Sequence, residues 1–285
     1  MKKKAVVAPQ LKQFAGFWTL TGQPLGGTEW GLAEKIRRAK GAGFTGLGGG
    51  ASRELADAVH AAGLDYICYI DANDRSYVDR LQAAATTGPA RVNVQLWDHD
   101  TPPKIAAKTW EKMQPLARQL GLAIDLEVHR DTATETPEKT WEIAERYRKS
   151  TGKKCRFCFD FSHLAVVKHL APPYAKRLLA EHLDLIQLAR QMHFRPFNGH
   201  HCQVPLTDGN GNLSSEGKHY LEFLDALFAC WLKKARGGEV LHACPEFGPV
   251  AHGYGLSTFP DVWDDAIRLR AETERLWQQN LAGWK

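Results

Sequence analysis

Leu126-Glu127-Val128-His129-Arg130, Phe159-Asp160-Phe161-Ser162-His163 and Cys244-Pro245-Glu246-Phe247-Gly248-Pro249 are three apolar, strand-like runs that each end in a carboxylate. A fourth run, Gln191-Met192-His193-Phe194-Arg195, ends its strand with a histidine. Two glutamates, an aspartate and a histidine from four successive strand ends make an oxygen-rich site for one divalent cation, and a parallel barrel is the fold that gathers such ends.

Working outward from these runs, short β-rich segments alternate with helical patterns along the whole chain. The expected strands cover residues 14–20, 44–48, 66–70, 92–97, 123–128, 155–161, 190–195 and 240–247. Strands separated by helices imply crossover connections and parallel pairing, so the expected architecture is α/β, a (β/α)8 TIM barrel in one domain over residues 1–285, with 1–12 as an N-terminal extension. The helices carry their own signals. Thr28 is placed to cap the first, with Leu32, Ile36 and Ala39 on one face, and Thr136-Pro137 opens another. Tyr220, Phe223, Leu224, Leu227, Phe228 and Trp231 form an apolar stripe at helical spacing and read as core. Pro115 conflicts with a continuous helix over 105–120, so a kink or break is expected there. The irregular stretch 196–217 follows the seventh strand, where active-site loops belong, and its length suits a lid or binding element; His200 and His201 lie in it.

At 285 residues the chain is near the roughly 250 typical of one such barrel. Its net charge of +5 is small and not gathered into a long basic run, which gives no case for nucleic acid. No segment approaches the length of a membrane span, and Ala5-Val6-Val7-Ala8 stops at Pro9, short of the apolar stretch an export signal needs. The six cysteines do not space a small loop-rich framework, and Cys155 and Cys158 lack the second pair of a zinc site. Free thiols in a reducing cytoplasm are expected.

Side chains alternate along a strand, so Glu127 and His129 share a face, as do His193 and Arg195, and Cys244 and Glu246. A carboxylate inside a run such as Ala123-Ile124-Asp125-Leu126-Glu127-Val128 is costly to bury unless it is paired or bound to a cation. Oxygen donors with one imidazole suit Mn²⁺ or Mg²⁺, and the histidine admits Co²⁺ or Zn²⁺. Trp18 and Trp97, at the ends of the first and fourth strands, are candidates for an apolar wall against a substrate ring, and His99 for a contact from the loop that follows. Gly48-Gly49-Gly50 lacks the lysine and hydroxyl of a phosphate loop and reads as clearance beside the site.

On these residues the chain resembles the xylose-isomerase-like barrels, which include sugar and sugar-phosphate isomerases, ketose 3-epimerases, inosose dehydratases and an abasic-site endonuclease type. The resemblance runs from Trp18-Thr19-Leu20 and Ala42-Gly43-Phe44 through Glu246, and its most specific parts are Glu127-Val128-His129-Arg130, Asp160-Phe161-Ser162-His163, His193-Phe194-Arg195 with Gln203-Val204-Pro205, and Pro245-Glu246-Phe247-Gly248-Pro249. It implies Glu127, Asp160, His193 and Glu246 as ligands of one divalent ion. It also implies Glu127 and Glu246 as the acid/base pair and His163 and Arg195 as contacts to substrate oxygens, with His129 and Gln203 in the same binding set. The activity it implies is metal-dependent sugar isomerisation or epimerisation by proton transfer through a metal-stabilised enediolate, since charge developing on oxygen needs a cation beside it. A dehydratase or lyase acting on a keto-sugar or inosose is the alternative on the same site. The endonuclease reading is remote: it needs extra histidines at early strand ends and an Asp-x-His after the seventh strand, whereas Asp208 is followed by Gly209-Asn210. The expected partner is a small sugar or polyol ketone, with no nucleic acid and no membrane; a homo-oligomer is compatible with the sequence.

Overall fold

The computed structural model describes residues 7–285. Eight parallel strands close into a barrel in sequence order, each hydrogen-bonded to the next and β8 to β1. In chain order they are β1 (Gln10–Gly16), β2 (Gly46–Gly50), β3 (Asp65–Ala72), β4 (Arg91–Leu96), β5 (Ile124–Val128), β6 (Phe157–Asp160), β7 (Gln191–Phe194) and β8 (Val240–Pro245). The helices around them are α1 (Leu32–Gly41), α2 (Arg53–Ala61), α3 (Tyr77–Ala85), α4 (Pro103–Gln119), α5 (Pro137–Thr151), α6 (Phe161–Val167), α7 (Ala175–Leu178), α8 (Leu183–Leu188), α9 (Ser215–Leu232) and α10 (Val262–Leu281). This is a single-domain (β/α)8 TIM barrel, as the alternation of elements implies. No helix among the described residues is long and apolar enough to cross a membrane.

Alternation along the strands sorts two different layers. Val92, Val94, Leu126, Phe157, Phe159, Met192 and Phe194 join the large apolar cluster between sheet and helices, to which the α9 stripe contributes Tyr220, Phe223, Leu224, Leu227, Phe228 and Trp231. The residues between them point into the barrel, where a small group of Phe14, Ile67 and Cys244, with Tyr69 against it, gives way to buried polar side chains. Two glycines on β2 make this interior possible. A Cβ on Gly46 would stand 2.3 Å from the Phe14 ring, and one on Gly48 would stand 2.0 Å from the Tyr69 hydroxyl.

Several expectations need correction. The first strand begins at Gln10 and not at residue 14, so positions 10–12 pair with β8 instead of extending from the domain, and Trp18 lies in the 3-10 turn Trp18–Leu20 beyond the strand. Residues 1–6 of the expected extension lie outside the described residues. Thr28 does not cap α1; Gly31 is its N-cap. α4 runs unbroken through Pro115. Pro115 and Glu111, whose carbonyl it leaves unbonded, both face solvent, where water takes the missing donor's place. β6 ends at Asp160, which caps α6 by accepting the Ser162 N–H at 2.9 Å, so His163 is a helical residue.

Candidate metal centre and active site

The C-terminal ends of β5, β7 and β8 bring three of the expected ligands together. Glu127 Oε1 and Glu246 Oε2 both face His193 Nδ1, and the three residues each offer a donor atom within 4.8 Å of the others'. The imidazole nitrogen is 2.9 Å from the first oxygen and 3.2 Å from the second, yet all three atoms are buried with no hydrogen bond. Each has a backbone reason to be there. Glu127 is the fourth residue of β5, His193 sits on β7 opposite Cys244, and Glu246 continues the ladder past β8 by donating its N–H to the Phe194 carbonyl at 2.9 Å.

Buried polar atoms that converge without bonding one another need a common partner. A cation fits this set: bonds of roughly 2.1 Å at right angles separate neighbouring donors by about 3 Å. The electrostatics agree. Burial raises the Glu127 carboxyl, but the His193 imidazole outweighs it, with help from the Asn93 amide at 2.7 Å, and holds it down to about 2. Burial pushes the His193 imidazole down, and the Cys158 sulfur and the Glu246 and Glu127 carboxylates push it well above its ordinary range. The pair of carboxylates thus favours positive charge at this point, which a proton or a metal ion can supply.

Asp160, expected as the fourth ligand, does not join the group. Its Oδ2 receives the Arg195 Nη2 and lies 3.4 Å from His163 Nε2. Burial opposes its ionisation, and the Arg195 guanidinium outweighs burial and holds the carboxyl well below its usual range. Arg195 is itself enclosed at 1% exposure, lies 3.7 Å from Glu246 Oε2, and keeps Nε and Nη1 without partners. Its Nη2 also donates to His163 Nε2 at 3.0 Å. A guanidinium cannot accept, so the His163 proton sits on Nδ1. Burial lowers this imidazole to about 4, which keeps it neutral near pH 7. His129 packs against it, the rings tilted 60° to each other with centroids 4.2 Å apart.

The remaining candidates divide. Trp18 stays at the mouth, its ring 4.9 Å from Tyr254 and edge-on to it. Trp97 turns to the helical layer, where its indole N–H donates to Thr109 of α4 at 3.0 Å. His99 is exposed and engages Asp131 at 2.6 Å on the rim. The Gln203 amide pairs with the Gly248 backbone, at 2.9 Å to its oxygen and 2.7 Å from its nitrogen. It ties the loop after β7 to the loop after β8. That first loop is held down again by Asp265 of α10, which accepts from Leu206 N–H and the Thr207 hydroxyl, both at 2.7 Å. The residue over the mouth is instead Tyr254, from the β8–α10 connection, which no motif signals. Its ring lies 4.5 Å from the Arg130 and 5.4 Å from the Arg195 guanidinium carbon. Asn93, between Val92 and Val94 on β4, and Tyr69, whose ring is 5.6 Å from His193, were also unforeseen; a polar residue inside an apolar run was the available signal.

No family model matches the sequence, and no curated protein matches it. Solved structures do. A D-allulose 3-epimerase from Methylomonas sp. superposes with a TM-score of 0.60 at 15% identity, covering 97% of this chain and 100% of that one. A xylose isomerase-like TIM barrel protein from Mycobacterium smegmatis in complex with magnesium gives 0.55 at 15%, covering 93% and 97%. The probable 3-DHS dehydratase AsbF from Bacillus anthracis gives 0.55 at 13%, covering 94% and 98%. The chain therefore has the xylose isomerase-like barrel fold over nearly its full length. At these identities the likeness is one of fold.

Proposed function

We propose that the protein is a divalent-metal-dependent isomerase or epimerase of a sugar or polyol ketone. The observation that carries this reading is the convergence of Glu127 Oε1, His193 Nδ1 and Glu246 Oε2, buried and unpaired, beside an enclosed arginine with free donors. Those three residues would hold the ion, Mn²⁺ or Mg²⁺ by the hardness of their oxygens, and the ion would polarise adjacent substrate oxygens. Glu127 and Glu246 come from the C-terminal ends of two different strands, and as carboxylates they can take a proton from carbon beside a carbonyl and return it. The unpaired His163 Nδ1–H would share the charge that develops on oxygen, and Arg195 would contact substrate oxygens. Asp160 positions Arg195 and is not needed in the ion's shell. The epimerases among the fold's relatives support the reaction class.

The test is solvent exchange: the protein with Mn²⁺ is incubated in D₂O with free sugars, keto-sugars and cyclic polyols. Deuterium entering one substrate carbon, and lost with Glu127→Gln, is the expected result. Exchange that survives removal of the metal or either glutamate would refute the reading. Loss of water from the product's mass would mark the elimination chemistry of a dehydratase on the same site.

A further inference from the structure

The mouth holds a second set of unsatisfied atoms, and all of them are donors. Arg195 keeps Nε and Nη1 unpaired, and His163 Nδ1 and Trp18 Nε1 are likewise buried without an acceptor. Arg195 and Trp18 both border Tyr254, and His163 touches Arg195. Arg130 also borders the Tyr254 ring; it is exposed, with no carboxylate in ion-pair reach among the described residues, and its Nη1 finds the Cys202 sulfur at 2.7 Å. Gly248 is the floor on which these meet, since a Cβ there would stand 2.5 Å from Tyr254 and 2.8 Å from Trp18.

A buried donor without a partner is costly, so several on one wall call for a ligand rich in acceptors. Sugar hydroxyls can accept from these donors, but each also brings a donor that needs its own acceptor. A carboxylate or phosphate only accepts, and guanidinium groups recognise both. In its absence the Tyr254 ring gives the two guanidiniums a π face to rest on.

Resting on the isomerase reading above, we infer that the substrate carries an anionic group, a carboxylate or a phosphate, which binds between Arg130 and Arg195 in the place the Tyr254 ring now fills. The polyol end then points to Glu127, His193 and Glu246, and the anionic end to the arginines. Tyr254 turns aside when the anion enters and returns when it leaves.

Calorimetry on the Mg²⁺-loaded and metal-free protein with D-fructose, D-fructuronate and D-fructose 6-phosphate tests this, because the three share a ketone and differ at the terminal carbon. One anion should bind at least about tenfold tighter than fructose, and which one does so separates carboxylate from phosphate. Arg130→Met, a change at an exposed position, should erase most of that gap and leave fructose binding as it was. Affinities within about threefold of one another, binding of none of the three, or a gap unchanged in Arg130→Met overturns the inference. The isomerase reading fails separately: deuterium exchange into fructose without anion preference sinks only the anionic subsite, whereas anion preference in a protein that binds no metal and exchanges no proton sinks only the isomerase.

Discussion

At the residue scale, Glu127, His193 and Glu246 were legible because a charged group inside an apolar strand has few ways to be satisfied, and alternation fixes its direction. What alternation cannot fix is the partner. Asp160 shares the same logic, yet Arg195, two residues beyond His193 on the same face, claims it. This separates the roles. Glu127→Gln and Glu246→Gln should each lower turnover by roughly 10²- to 10⁴-fold, the usual loss for a general acid or base. Asp160→Asn should leave Mn²⁺ affinity within about threefold of wild type while lowering turnover, because it frees Arg195 and not the ion. A large loss of metal affinity in calorimetry would return Asp160 to the ligand set. Gln203 and Trp97 find partners the sequence did not signal for a related reason: an amide or an indole serves a backbone or a helix as readily as a substrate, and sequence does not say which lies nearer.

At the element scale, strand order and the α9 stripe followed from periodicity, whereas strand ends did not. β1 was placed four residues late because Phe17-Trp18-Thr19-Leu20 is as apolar as the strand itself, and only pairing with β8 distinguishes them. The lid was sought in the long loop after β7, but Gln203 and Asp265 pin that loop, and the shorter segment after β8 supplies Tyr254. Glycine on β2 has a sharper consequence. Gly48→Ala would drive a methyl group into Tyr69, whose ring packs edge-on against His193 and whose hydroxyl donates to Cys244 at 3.3 Å. The variant should lose about 1–3 kcal/mol of stability in urea unfolding and weaken metal binding with it. Unchanged affinity would show that Tyr69 does not position His193.

At the scale of the whole molecule, the two ends of the barrel respond differently to pH. His242, at the N-terminal end, is pushed down to about 4 chiefly by burial, against an ordinary value of 6.5, while its ring nitrogen meets the Arg190 carbonyl at 3.0 Å. Its depressed value means that the unfolded chain binds the proton more readily, so metal-free protein should lose stability as pH falls from about 6.5 toward 4, by up to roughly 3 kcal/mol. His242→Gln should flatten that slope in urea unfolding; an unaltered slope would assign it to other groups. At the other end, protons and metal compete for the same carboxylate-framed imidazole, so Mn²⁺ affinity should fall as the solution is acidified. The most direct measurement is an anomalous-difference map from crystals grown with Mn²⁺. A single peak within bonding distance of Glu127, His193 and Glu246, abolished in His193→Ala, is the expected result. A protein that folds and takes up Mn²⁺ elsewhere, or not at all, would contradict the metal centre and the chemistry built on it.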